Sequence, residues 1–138
     1  MKAFNMIIVV AITGLVTACA MPPKKSLGII PSEENSKVLF TRLHDLAEKC
    51  WEKEWGWFGD GVVISATSAL GGNIIEGKRY APDIGIRPPF IEVIVSEHTT
   101  GATVEIIEGG EHNPLSDNSL APEVTSWING ASSCLTKK

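Results

Sequence analysis

The chain has 138 residues, 43% of them hydrophobic, with twelve Lys and Arg against sixteen Asp and Glu. Without the first eighteen residues the balance becomes eleven against sixteen, with no long run of either sign. That excludes the basic face that nucleic-acid phosphates demand. The remaining chain, about 120 residues, supports one domain with a modest core.

Residues 1–19, MKAFNMIIVVAITGLVTAC, open with the single charge of Lys2. An apolar stretch from Phe4 to Val16 and the small residues Thr17 and Ala18 follow. This is the layout of a secretory signal peptide, residues 1–18. Asn5, Thr13 and Gly14 interrupt the run and Pro22 and Pro23 close it, short of the ~20 apolar residues that span a bilayer. An uncleaved anchor is the alternative.

The quartet Val16-Thr17-Ala18-Cys19 resembles the lipobox of bacterial lipoproteins: an aliphatic residue, two small residues, then cysteine. The resemblance covers only this opening segment. It implies diacylglycerol on the Cys19 sulfur, cleavage before Cys19 and acylation of the new amine. Two or three acyl chains anchor a protein stably where one does not. In Gram-negative bacteria an Asp after the cysteine often retains such a protein at the inner membrane. Ala20 stands there instead, which implies the outer membrane, with the domain in the periplasm. With Cys19 lipidated, Cys50 and Cys134 remain as a pairable two. Their bridge would close a loop of about 85 residues, worth roughly 4–5 kcal/mol in the chain-entropy model.

Residues 19–31 read as the lipidated N-terminus and a tether, with three prolines and no periodicity. Extended, a dozen residues reach at most ~40 Å. Within the tether, Leu27-Gly28-Ile29-Ile30 offers an alternative as an edge strand. Lys24 and Lys25 suit anionic lipid at about 1 kcal/mol each, or simply solvate the tether. The domain is expected over 32–138. Its first helix starts at Ser32 as N-cap, with Glu33 and Glu34 in the first turn. Leu39, Leu43, Leu46, Ala47 and Cys50 recur at three and four as an apolar stripe, widened by Val38 and Trp51. The helix ends between Cys50 and Gly56.

The period then changes to two. Val62, Ile64, Ala66 and Leu70 alternate with polar residues as a half-buried strand. The glycines of 71–73 mark a hairpin, and 74–80 pairs back. Prolines 82, 88 and 89 make 81–89 a connection rather than a central strand. Residues 90–97 form the strongest strand, 98–101 a turn, and 102–107 the return strand. A polar loop, 109–118, leads to a helix carrying Leu120, Val124, Trp127, Ile128 and Ala131, with Pro122 in its first turn and Ser119 or Asn118 as cap. The expected fold is a single α+β domain. It has an N-terminal helix, a four-stranded (possibly five-stranded) antiparallel meander and a C-terminal helix packed on one face. A four-stranded meander leaves Cys134 far from Cys50. Their pairing therefore requires the 109–118 loop to return across the sheet, an oblique second helix, or a fifth strand.

No chemistry-bearing constellation stands out. His44 sits on the first helix as a surface or edge residue, and His98 and His112 lie in turns beside Glu97 and Glu111. Their spacing fits no zinc-ligand box, and no nucleophile elbow or phosphate loop is present. No metal, cofactor or catalytic residue is expected. The densest aromatic stretch is CWEKEWGWFGDG, residues 50–61. Trp51 reads as core. Trp55, Trp57 and Phe58 form the candidate interface, since aromatic side chains dominate interface hot spots; burial of Trp57 and Phe58 is equally compatible, and tryptophan also favours bilayer interfaces. The expected role is a non-enzymatic, lipid-anchored module that binds or assembles with a protein partner in the envelope through its sheet edge or this corner. A small-ligand or inhibitor-type binder is the alternative. A hydrolase-like enzyme, requiring His98 or His112 against a carboxylate in a cleft, comes third.

Overall fold

A computed structural model describes residues 22–55 and 59–135, with the Trp55 side chain also outside the description. The elements are β1 (Lys25–Ser32), α1 (Ser36–Trp51), β2 (Lys53–Trp55), β3 (Asp60–Ala69), β4 (Gly72–Ala81), β5 (Gly85–His98), β6 (Gly101–Glu108) and α2 (Ala121–Ile128). The class is α+β. The six strands form one antiparallel sheet in the order β1-β6-β5-β4-β3-β2. The central β3-β4-β5-β6 meander matches the sequence expectation; the strand count of four or five does not. The additional strands lie at the two edges. One is β1, within the stretch expected to be tether. The other is β2, too short for its periodicity to register.

The helix α1 begins later than expected. Its N-cap is Asn35, whose side chain accepts from the Lys37 N–H at 3.0 Å, while Ser32 ends β1 and accepts from the Glu34 N–H. The expected stripe faces the sheet: Leu39, Leu43, Leu46, Ala47, Cys50 and Trp51 are buried. Val38 is not part of it, at 56% exposed. The helix packs across β3, β4, β5 and β6. Beneath it, Val62, Ile75, Phe90, Ile91, Val93, Val95, Val104 and Ile106 complete the core. The outer half of β3 projects beyond the helices, so Ala66 is exposed and Leu70, in the two-residue turn to β4, is fully so.

Proline placement explains the length of β5. Pro88 and Pro89 lie within it, although a central strand excludes residues that cannot donate to the ladder. The β6 ladder ends at Ile91↔Glu108, so the prolines lie past it, where β5 pairs with β4 alone. The β4–β5 register also shifts around Lys78.

The chain reaches Cys50 by a tail that doubles back. Glu108, at the end of β6, accepts from the N–H groups of Leu120 and Ala121 and from the Ser119 hydroxyl. This carboxylate takes the role expected of Ser119 or Asn118, with Leu120 at the cap position and Pro in the first turn. From there α2 runs toward Arg42, which donates to the Trp127 carbonyl. Gly130, at φ +97°, supplies the left-handed turn that a side chain would resist. Residues 131–134 then return along α1, with Lys49 donating to the Ser132 carbonyl at 3.3 Å. Cys134 meets Cys50 in a disulfide with Cα atoms 5.4 Å apart. Replacing both cysteines by alanine is predicted to lower unfolding free energy by up to roughly 4–5 kcal/mol. Urea unfolding of the variant against the oxidised parent measures this.

Candidate interaction surface

The disulfide lies in a buried polar corner. Glu123, on the first turn of α2, is 2% exposed. It accepts from the Trp51 indole N–H at 2.9 Å and from the Leu135 N–H at 2.6 Å. Trp51 in turn packs against Trp127 with ring centroids 4.9 Å apart, and the Trp127 indole donates to the Ser133 carbonyl. One carboxylate thereby links the end of α1, the start of α2 and the returning tail. Cys50, Glu123 and Cys134 bring their ligand-type atoms within 4.8 Å of one another. The disulfide uses both sulfurs, however, so this trio is a structural clasp.

The histidines do not meet. His98 is exposed at the β5–β6 turn, where its Nδ1 lies 3.3 Å from the Thr100 hydroxyl. His112 is exposed in the loop at the other end of that hairpin. It borders a depression of about 180 Å³ with Glu108 and Glu111. Both carboxylates have other work there. Glu108 caps α2, and Glu111 accepts from Arg87 Nε at 2.9 Å and from the His112 N–H. Burial raises the affinity of the Glu111 carboxyl for its proton, but the His112 N–H and the Arg87 and Arg79 cations outweigh this and hold it below its ordinary range. His44 stacks on Phe40 and lies 3.6 Å from Glu48, one helical turn on.

The sheet has one face covered by the helices and one open. On the open face Glu76 and Glu92 are directly opposite across β4 and β5, a like-charge pairing that destabilises a sheet. Each is offset by a lysine, Lys78 to Glu76 at 2.6 Å and Lys24 to Glu92 at 2.7 Å. The two sheet edges differ in chemistry. The β1 edge carries Lys25, a bulge around Gly28, and Pro31, features that blunt strand addition. On the other edge, β2 pairs only with Asp60, Gly61 and Val62. Residues 63–69 of β3, VISATSA, pair with β4 on one side. Among the described residues no strand pairs with them on the other. They contain no charge, proline or glycine.

Exposed apolar side chains gather elsewhere too. Ile84 lies in the β4–β5 turn and Ile86 just after it, at the start of β5. An open groove of about 570 Å³ runs between α1 and the tail, lined by Val38, Thr41, Leu46 and Ala131 with Lys37, Arg42 and Asp45 at its rim.

Of the residues singled out by sequence, Cys50 and Cys134 are joined, and Trp51 is core. Cys19, Trp57 and Phe58 lie outside the described residues. Trp55 ends β2 opposite Asp60, its side chain likewise outside. Sequence reading missed Glu108, Glu123 and the 63–69 edge. An acidic residue in the first turn of a helix reads as a dipole partner, which is why Glu123 drew no notice. Comparison with protein-family models, characterised proteins and solved structures found no match to this chain. Glu123→Ala is predicted to leave the Trp51 indole N–H without this acceptor, costing roughly 1–3 kcal/mol. Glu123→Gln, which keeps an acceptor oxygen, should cost less. Thermal unfolding of the two variants makes the comparison.

Proposed function

We propose that this chain is a lipid-anchored envelope protein, attached through Cys19 to the outer membrane, whose periplasmic domain is a non-enzymatic protein-binding or assembly module. The attachment rests on the lipobox-like quartet and on the cysteine count. The binding role rests on one observation above all, the uncharged β3 edge at 63–69. An unpaired strand edge presents a row of backbone N–H and C=O groups that an extended segment of another protein can complete. The opposite edge is blunted and this one is not.

A small-ligand or inhibitor-type lipoprotein is the second reading, and the apolar groove between α1 and the tail supports it. The two readings separate by where substitution acts. Thr67→Lys with Ala69→Lys adds charge at exposed edge positions, where the expected stability change is within about 0.5 kcal/mol. In-cell crosslinking with mass spectrometry should detect a protein partner of the native chain and lose it in this variant. If the partner persists there and disappears with Trp57→Ala and Phe58→Ala, the contact is the aromatic corner instead. No specific partner for the native protein would favour the groove.

A further inference from the structure

Resting on the proposed lipid at Cys19, we infer that the sheet end bearing the β4–β5 turn lies directly against the bilayer, with Ile84 and Ile86 in contact with lipid. The chain joins the sheet close behind Cys19. The Pro22 carbonyl accepts from the Gly110 N–H at 2.7 Å, and Lys24 is held to Glu92 at 2.7 Å. Gly109, at φ +109°, lies against the Pro23 backbone so closely that a Cβ there would overlap the Pro23 carbonyl oxygen. The strand-like pairing thus begins at Pro22, and only Ala20 and Met21 separate it from Cys19. Three residue steps span about 10 Å at most. The ~40 Å reach expected of a free tether is not available, because most of that stretch is built into β1.

The same end of the sheet carries a projection of matching length. Gly109 donates to the Phe90 carbonyl at 3.2 Å, so Pro22 and Gly110 lie level with the 89–90 part of β5. From there β5 and β4 continue past the end of β6 as a ribbon, accompanied by β3 as far as Gly61↔Tyr80, through Ile86↔Tyr80 to Gly85↔Ala81. The four residue steps from Phe90 to Ile86 cover about 13 Å. A lipidated Cys19 therefore cannot lie much farther from the sheet than the tip of this ribbon does. Seating the acyl chains in the membrane brings the tip to its surface.

The side chains at the tip suit that contact. Ile84, in the turn, and Ile86, at the start of β5, are 61% and 65% exposed. The charges of this end are mixed: Arg79 and Arg87 lie in the two strands and Asp83 in the turn, and Arg87 is paired with Glu111. The contact is accordingly apolar and does not depend on anionic lipid. It also fixes what faces away. Leu70, at the opposite end of β3 from the Asp60 end, points into the periplasm together with the outer part of the 63–69 edge.

The test uses the mature, acylated protein reconstituted in neutral phosphatidylcholine vesicles, with its acylation read by intact mass. Nitroxide labels are placed singly through Ile84→Cys, Ile86→Cys and Leu70→Cys, all exposed positions that tolerate a label. Relaxation by lipid-soluble oxygen is compared with relaxation by a water-soluble nickel complex. The oxygen-to-nickel ratio at 84 and 86 should exceed that at 70 severalfold. Equal, water-like ratios at all three sites on an acylated protein would overturn the apposition while leaving the anchor intact. An unmodified Cys19 on the mass spectrum would overturn the anchor, and the apposition with it.

Discussion

A single helix has to connect the two edges of this sheet, and the rest of the structure is arranged around that span. β1 and β2 are consecutive strands placed at opposite edges, five inter-strand spacings apart in the order β1-β6-β5-β4-β3-β2. At about 4.8 Å per spacing the span is about 24 Å. The connecting helix α1 has 16 residues, and at about 1.5 Å per residue it is about 24 Å long. Its length therefore matches the width it crosses. Its apolar stripe meets every strand of the meander in turn, which is why one helix can organise most of the core.

The C-terminal segment secures the far end of that helix. Once α1 has crossed the sheet, Cys50 and Trp51 sit at the β2 edge. Glu108, at the end of β6, holds the start of α2, whose Glu123 reaches the Trp51 indole, and the tail returns to Cys50. Glu123 and the disulfide join three pieces of chain that are distant in sequence. This also resolves the apparent conflict between a C-terminal helix and the Cys50–Cys134 pairing. The helix starts near Cys50, runs away from it, and the tail after Gly130 brings Cys134 back. The arrangement leaves two regions uncommitted: the outer half of β3, which no helix covers, and the β4–β5 ribbon beyond the end of β6. We assign the first to a protein partner and the second to the membrane.

The sequence was most readable where one periodicity ran long enough. The α1 stripe, the β5–β6 hairpin and the buried face of α2 all followed from spacing. Readability failed where an element was short or locally ambiguous. β2 has three residues, directly after a helix, so no alternation can be detected. β1 contains a glycine bulge and Pro31, which read as linker signals although an edge strand tolerates both. The prolines made 81–89 read as a connection, yet residues 85–89 belong to β5, because β4 alone flanks the strand there. Ala66 and Leu70 alternate correctly with their neighbours but project past the helices, since periodicity gives the face of a strand and not where its cover ends. The capping role of Glu108, twelve residues from Leu120, depends on tertiary approach and left no local signal. Of the functional surface, the aromatic corner drew notice by composition, whereas the β3 edge drew none because an unpaired edge is a property of the assembled sheet.

Incorporation of residues 25–32 into the sheet underlies the six-strand order, the crossing of α1 and the short distance between domain and anchor. Hydrogen exchange of the β1 amides in the Cys19→Ala protein, compared with those of β6, tests it most directly. The account predicts that Ile30 and Ser32, paired with Val104 and Ala102, exchange far more slowly than an unstructured chain and lose their protection together with β6. Free exchange across 25–32 alongside strong protection in β5 and β6 would mean that this stretch is a tether after all and that the sheet ends at β6.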